Sequence, residues 1–159
     1  MIKLTDKQII EFFRRSYTSV DGLWFMKTEE RDGFDAALQI DKNVWEIMPK
    51  IQARILKSMI ETKDELHALM ECLTTRLFLE GFSFIVKNND DDFSIIIDNC
   101  PWHNLMVKSK RENLSGQIGS VICNNEYGVW AKEFGDNITF TLNDQICKGS
   151  KLCFLTFSR

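Results

Sequence analysis

The chain has 159 residues, of which 44% are hydrophobic and 27% are charged, and its formal net charge is −3. This length corresponds to about one domain, and the composition is typical of a globular protein and excludes a disordered one. Nucleic-acid binding requires a basic face or stripe, so the acidic balance predicts no nucleic-acid partner.

The sequence also lacks the signals that direct a chain to a membrane. The first seven residues contain no apolar region of the kind found in signal peptides. No apolar run reaches the ~18 residues that a membrane-spanning helix needs. We therefore expect a cytoplasmic protein with no membrane contact, built as a single domain over 1–159.

The first part of the chain, 1–81, has a helical pattern. Thr5 and Gln8 have the spacing of a capping box, which predicts a helix that begins there and ends at Gly33. Apolar residues then recur in steps of three and four, which predicts one buried face on this helix. The predicted face consists of Ile9, Phe12, Phe13, Tyr17, Val20, Leu23 and Trp24.

A second long helix is predicted to follow, with a kink or restart at Pro49 because proline disrupts a helix interior. Thr62 and Glu65 have the spacing of another capping box and predict the start of a third helix. Gly81 is expected to end it. The apolar face of this third helix is predicted to be Leu66, Leu69, Leu73 and Leu77.

The second part, 82–159, alternates between apolar and polar residues and predicts strands. Two hairpins are expected: 82–86 with 93–97, and 138–142 with 152–157. Two short helices are predicted between them, one beginning at Pro101 and one over 125–134. The fold class is therefore α+β, with a helical N-terminal half followed by an antiparallel sheet of about four strands in two hairpins.

Five cysteines without a secretion signal argue against a disulfide framework. Pro101 favours the first position of a helix, which makes Cys100 the N-cap and places His103 in the first turn. Cys123 is predicted to lie just before another helix N-terminus. The positive end of a helix dipole stabilises a thiolate, so Cys100 and Cys123 are candidate nucleophiles.

The same residues are candidate metal ligands. Zinc accepts mixed sets of cysteine and histidine. A tetrahedral zinc site is predicted from Cys100, His103 and Cys123 with either Cys147 or Cys153. The alternative is that these thiols are buried core residues, since free cysteine is among the most buried residue types.

Several segments together resemble a known family. These segments are Tyr17–Met26, Gly33–Asp41, Val44–Trp45, Asn99–Pro101, the pair Cys123 and Glu126, and Cys153–Phe154. In these segments the chain resembles the L-2-amino-thiazoline-4-carboxylic acid hydrolase-like family, whose layout is similar to that of the 4-vinyl reductase domain. The resemblance implies an α+β fold that binds small ligands and metals, and hydrolysis of a C–N bond in a small cyclic amidine or thiazoline amino acid.

Three functions therefore remain open. In a hydrolase, Cys100 or Cys123 attacks or holds a metal, and His103 or Glu126 moves the proton. The alternative is a non-catalytic metal- and small-ligand-binding domain with a sensory or structural role. A third hypothesis is an interaction domain with inert thiols. The expected partner is a small-molecule ligand, and the sequence leaves a homodimer open.

Overall fold

The computed structural model describes residues 1–159 and contains six α-helices, four strands and one 3-10 turn. The helices are α1 (Asp6–Asp32), α2 (Phe34–Trp45), α3 (Met48–Lys57), α4 (Glu65–Glu80), α5 (Pro101–Lys108) and α6 (Glu112–Phe134). The strands are β1 (Ser83–Asn88), β2 (Asp92–Asn99), β3 (Thr139–Asp144) and β4 (Cys153–Ser158), and the 3-10 turn is Ile146–Lys148. None of the helices combines the length and the apolar character that crossing a bilayer requires.

The four strands form one antiparallel sheet in the order β1-β2-β4-β3. The hairpins β1–β2 and β3–β4 therefore meet through β2 and β4, which confirms the predicted α+β class with its two hairpins. The register is fixed by apolar pairs on one face, such as Phe93 opposite Phe157 and Ile95 opposite Leu155. The rings of Phe93 and Phe157 stack with centroids 4.8 Å apart.

The chain divides into two compact units, residues 1–41 and 42–159. The first unit holds α1 and most of α2. The second holds α3 to α6 and the whole sheet. The predicted organisation as a single domain over 1–159 stays a prediction.

Several helix ends lie at the residues that the sequence predicted. Thr5 and Gln8 form both hydrogen bonds of the capping box at the start of α1. Gly33 and Gly81 follow α1 and α4 with φ of 89° and 84°, a region that glycine adopts without strain. Pro49 lies in the first turn of α3, so the chain breaks between α2 and α3 and restarts there.

Two predictions about the N-terminal helices were wrong. The start of α4 is capped by Asp64, whose side chain accepts a hydrogen bond from the His67 backbone, and not by Thr62. The apolar face predicted to be buried on α1 is largely exposed, and the residues that are covered lie on the opposite side of the helix.

The core of the second unit lies between the sheet and the helices α4 and α6. It contains the four predicted leucines of α4, all at most 4% exposed, together with Trp130 and Phe134 of α6. Cys72 is part of this core. The sheet presents the face carrying Ile95, Leu155 and Phe157 to it, so burial of this face stabilises the unit through the hydrophobic effect.

The 3-10 turn packs closely on α6, and two glycines make the approach possible. A Cβ atom placed on Gly119 would lie 2.5 Å from Cys147 Sγ, and one placed on Gly116 would lie 3.0 Å from the Cys147 carbonyl oxygen. Because neither glycine has a Cβ atom, Cys147 can lie this close to the helix.

We expect Gly119→Ala to destabilise the protein by about 1–2 kcal/mol, because the overlap with the Cys147 sulfur outweighs the ~1 kcal/mol gain in helix propensity. In a Cys147→Ala background the same substitution should be neutral or stabilising. Urea unfolding of the four proteins in this cycle measures both values. Equal stabilisation in both backgrounds would contradict the close contact.

Candidate functional site

A buried ion network lies in the second unit, where α4 faces α6. Arg76 Nε donates to Glu80 Oε1 at 2.9 Å, one turn further along α4, and Arg76 Nη2 is paired with Glu126 Oε1 of α6. All three residues are buried, with Arg76 only 3% exposed. Charged groups are rarely buried unless paired, so two carboxylates around one guanidinium mark a specialised position.

Two more helices contribute polar groups to Glu80. Trp102 of α5 donates its indole N–H to Glu80 Oε2 at 3.2 Å, and Gln52 of α3 donates its amide N–H to Glu80 Oε1 at 3.2 Å. Gln52 Oε1 is also buried but accepts no hydrogen bond. Side chains from α3, α4 and α5 thus converge on the Glu80 carboxylate, and α6 joins the cluster through Glu126 and Arg76. One acceptor among these side chains is left unsatisfied.

Aromatic side chains border this polar cluster. The Arg76 guanidinium lies 5.6 Å from the centroid of the Phe82 ring, a cation–π geometry. Trp102 packs edge to face against Trp45, with ring centroids 5.7 Å apart. Asn125 of α6 donates to the Trp45 backbone oxygen at 2.9 Å and fixes the chain there. Charged hydrogen-bonding groups beside aromatic rings are typical of small-molecule sites.

Four of the five cysteines lie near enough to interact electrostatically, since Cys100, Cys147 and Cys153 all act on Cys123. Cys100 is the N-cap of α5, as predicted. Cys123 lies in the interior of α6, so the prediction that it precedes a helix N-terminus was wrong, because α6 begins eleven residues earlier at Glu112. Cys147 is in the 3-10 turn, and Cys153 opens β4.

Burial governs the chemistry of these thiols. Burial raises the pKa of Cys100 to about 12, although the backbone N–H groups of Trp102 and His103 at the start of α5 act to lower it. Burial raises the pKa of Cys123 further above its ordinary value, and Glu126 adds to the effect. Burial also raises the pKa values of Cys147 and Cys153. The neutral thiol is therefore favoured at all four positions.

The raised pKa values of Cys100 and Cys123 do not favour a nucleophilic role, because the thiolate is the form that attacks. The predicted helix-terminus effect exists at Cys100, but the loss of hydration outweighs it. The role of these two residues in a hydrolase stays a prediction.

The predicted metal ligands are near one another but are not arranged as a metal site. No group of three or more histidine, cysteine or acidic residues is placed to hold a metal ion. His103 Nδ1 shares a 2.8 Å hydrogen bond with Ser115 Oγ, and Cys153 Sγ accepts from the Ile146 backbone N–H. The donor types suit zinc, whereas their placement does not. The zinc hypothesis for Cys100, His103, Cys123, Cys147 and Cys153 stays a prediction.

The sequence reasoning identified Glu126 but missed its partners. Glu126 was a candidate general base, and the structure places it in the ion network with Arg76. Arg76 and Glu80 had a readable signal. They lie three residues after Leu73 and Leu77, respectively, on the predicted apolar face of α4, where a charged residue must be paired if it is buried.

The comparisons with known proteins are consistent with this fold. The model of a family described as a family of unknown function, DUF6125, matches residues 3–146. No curated protein matches the sequence. Among solved structures, the chain is similar to the phenol-responsive sensory domain of the transcription activator PoxR, crystallised with phenol. That match has a TM-score of 0.53 and 11% sequence identity, and it covers 89% of this chain and 73% of that chain.

The buried ion network gives a prediction for stability. Arg76→Met leaves Glu80 and Glu126 buried without their guanidinium and should lower the free energy of unfolding by about 3–5 kcal/mol. Arg54→Met is the control, because its pair with Glu133 is solvated and Arg54 is 70% exposed. It should lower stability by less than about 1 kcal/mol. If both variants lower the free energy of unfolding by the same amount, the buried ion pairs of Arg76 contribute no more to stability than the exposed pair of Arg54.

The raised thiol pKa values give a second prediction. Alkylation of Cys100 in the native protein at pH 7.5 should be roughly a thousandfold slower than in the urea-unfolded chain, because few thiolates form. Rates followed by peptide mass spectrometry measure this.

The same shifts affect stability at alkaline pH. The unfolded chain loses thiol protons above about pH 9, whereas the folded chain retains them, so the free energy of unfolding should fall as the pH rises from 9 toward 12. A thiol that reacts rapidly in the native protein at neutral pH would contradict the buried, protonated state.

Proposed function

This chain belongs to the DUF6125 family of unknown function, and we propose that it is a small-molecule-binding domain with a sensory role. The proposed site is the polar cluster of Arg76, Glu80, Glu126, Trp102 and Gln52 with its aromatic border. The proposed ligand has a planar apolar body and at least one hydroxyl or amine N–H that can donate a hydrogen bond.

The observation that carries this proposal is Gln52 Oε1. A buried acceptor without a hydrogen bond costs about 1–3 kcal/mol. A ligand donor that reaches this oxygen would recover that energy, and the adjacent carboxylate of Glu80 offers a second acceptor. The cluster is thus better suited to recognising a donor-bearing ligand than to stabilising the empty protein.

Two further features support the proposal. The rings of Trp45, Trp102 and Phe82 supply apolar surface beside the polar groups, which favours a planar ligand body. The similar PoxR domain responds to phenol, a molecule that combines a planar ring with one hydroxyl donor. A sensory role also agrees with the protonated thiols, which do not favour a cysteine nucleophile.

Binding of simple probes tests the proposal. Phenol and aniline carry the donor, and toluene has the same ring without it. We expect phenol or aniline to raise the melting temperature and toluene to raise it much less, because a ligand stabilises by RT ln(1 + [L]/Kd), or about 2.7 kcal/mol at one hundred times Kd. Calorimetric titration then gives the affinity.

A substitution at Gln52 locates the site. Gln52→Leu removes the unsatisfied oxygen, which favours the empty protein, and also the amide donor to Glu80, which opposes it, so the free energy of unfolding should change by no more than about 1 kcal/mol. Phenol or aniline binding should weaken by about tenfold or more. Gln117→Leu makes the same change at an exposed position of α6 and should leave binding unchanged.

Two results would contradict this assignment. Unchanged binding in Gln52→Leu would place the ligand elsewhere. The absence of binding by phenol and aniline at millimolar concentration would remove the proposed ligand class.

A further inference from the structure

The helix α1 exposes an apolar seam to solvent, formed by two clusters at residues 9–13 and 20–24. The clusters lie seven residues apart, or about two helical turns, which places them on one side of the helix. At 1.5 Å per residue the seam is roughly 22 Å long. The seam consists of Ile9, Phe12, Phe13, Val20, Leu23 and Trp24, all exposed.

The seam exposes an apolar area comparable with that of a protein interface. Phe12, Phe13 and Trp24 are 61%, 65% and 73% exposed. Aromatic side chains present about 150–250 Å² each, so these three rings alone leave on the order of 400 Å² in water. That is about half of the roughly 800 Å² that each partner buries in a standard interface, and the aliphatic members add to it.

Packing within the first unit does not use this seam. The covered side of α1 carries Arg14, Thr18 and Phe25, which lie on the opposite side of the helix at 100° per residue. Arg14 is held there by an ion pair with Glu11, and Phe25 packs against Phe34. The seam is therefore available for a partner.

The charges at the two ends of the seam favour a second copy of α1 in antiparallel orientation. Asp6 lies at the N-terminal end of the seam side, and Lys27, Glu30 and Arg31 lie at its C-terminal end, which has a net positive charge. Within the helix, Lys27 pairs with Glu30 and Arg31 pairs with Asp32, and all of these groups remain exposed. Antiparallel pairing places Asp6 of one copy beside Lys27 of the other. Parallel pairing would place each of these charges beside its own like charge, which is destabilising.

The same alignment pairs the apolar residues. With Asp6 opposite Lys27, Ile9 of one copy faces Trp24 of the other, and Phe13 faces Val20. A twofold axis then passes near Ser16, which makes the interface isologous, with every contact made twice. By contrast, α1 carries six acidic and five basic residues, whereas helices that lie on anionic membranes have a polar face rich in lysine and arginine.

We propose that the chain forms a homodimer through antiparallel pairing of the apolar seams of two α1 helices. This interface is independent of the proposed ligand site, because no seam residue belongs to the polar cluster. Loss of ligand binding would leave the dimer intact, and loss of the dimer would not by itself remove the ligand cluster.

Sedimentation equilibrium of the full chain tests the proposal. The wild-type protein should have twice the 18.6 kDa chain mass. Phe13→Glu places a charge in each half of the symmetric seam and should raise the dimer Kd by roughly a hundredfold. Phe78→Glu is the matched control, since Phe78 is an exposed ring on α4, 71% exposed, outside the seam. It should leave the Kd unchanged.

Circular dichroism and melting temperature establish that both variants are folded. A monomeric wild-type chain at 100 µM would overturn the proposal, as would a dimer that survives Phe13→Glu. Cosedimentation of a monomeric wild-type chain with anionic lipid vesicles, lost in Phe13→Glu, would assign the seam to a membrane surface and overturn it as well.

Charge reversal tests the orientation. In the antiparallel dimer, Asp6→Lys and Lys27→Asp should each weaken association by roughly tenfold, because each converts two symmetric attractions into repulsions. The double variant Asp6→Lys with Lys27→Asp should regain the wild-type Kd. Single variants that leave the Kd unchanged would overturn the antiparallel arrangement.

Discussion

The Arg76 guanidinium holds carboxylates from two different helices, Glu80 on α4 and Glu126 on α6. Removing charges from water is unfavourable, so this arrangement persists only while both partners remain in place. Glu80 in turn accepts hydrogen bonds from Gln52 of α3 and Trp102 of α5. One buried arginine thereby fixes four helices relative to one another within the second unit.

The sheet gives this arrangement its support. Its inner face packs against α4 and α6 through Ile95, Leu155 and Phe157, so the two helices that carry the ion network rest on a rigid surface. The network therefore has little freedom to adjust its partners. A rigid cluster with one unsatisfied acceptor is pre-organised, which reduces the cost of ordering when a ligand binds.

The thiols show how environment overrides a local signal. A helix N-terminus favours a thiolate, and Cys100 does cap α5. The same residue is sheltered from water by the surrounding elements, and the loss of hydration raises its pKa. The neighbouring carboxylate of Glu126 acts in the same direction on Cys123. The electrostatic setting of this region thus favours neutral sulfur, which is consistent with a binding role more than with nucleophilic attack.

The α1 helix exposes the side that its apolar periodicity would ordinarily predict to be buried. Period-3.6 apolar residues predict which side of a helix is buried, on the assumption that the chain buries its own apolar side. Here the covered side contains Arg14 and Thr18, and the apolar side faces solvent. The pattern correctly identified the apolar side of the helix. It could not show whether that side packs within the chain or against another molecule.

Features that depend on neighbours along the chain could be predicted from the amino-acid sequence. These features are the α+β class, the two hairpins, the capping box at Thr5, the break at Pro49, the helix ends at Gly33 and Gly81, and Cys100 as a cap. Each follows from backbone preferences or from hydrogen bonds within a few residues.

Features that depend on residues far apart in the chain became visible in the folded protein alone. The fold brought Arg76, Glu80 and Glu126 together and placed Trp102 and Gln52 beside them. It also showed Cys123 inside a long helix and set the thiol pKa values, because the burial of a group is a sum over all the elements that surround it. Spacing along a sequence shows which side of a helix is apolar but not that sum, and this is the physical reason that most helix ends could be predicted and the complete candidate site could not.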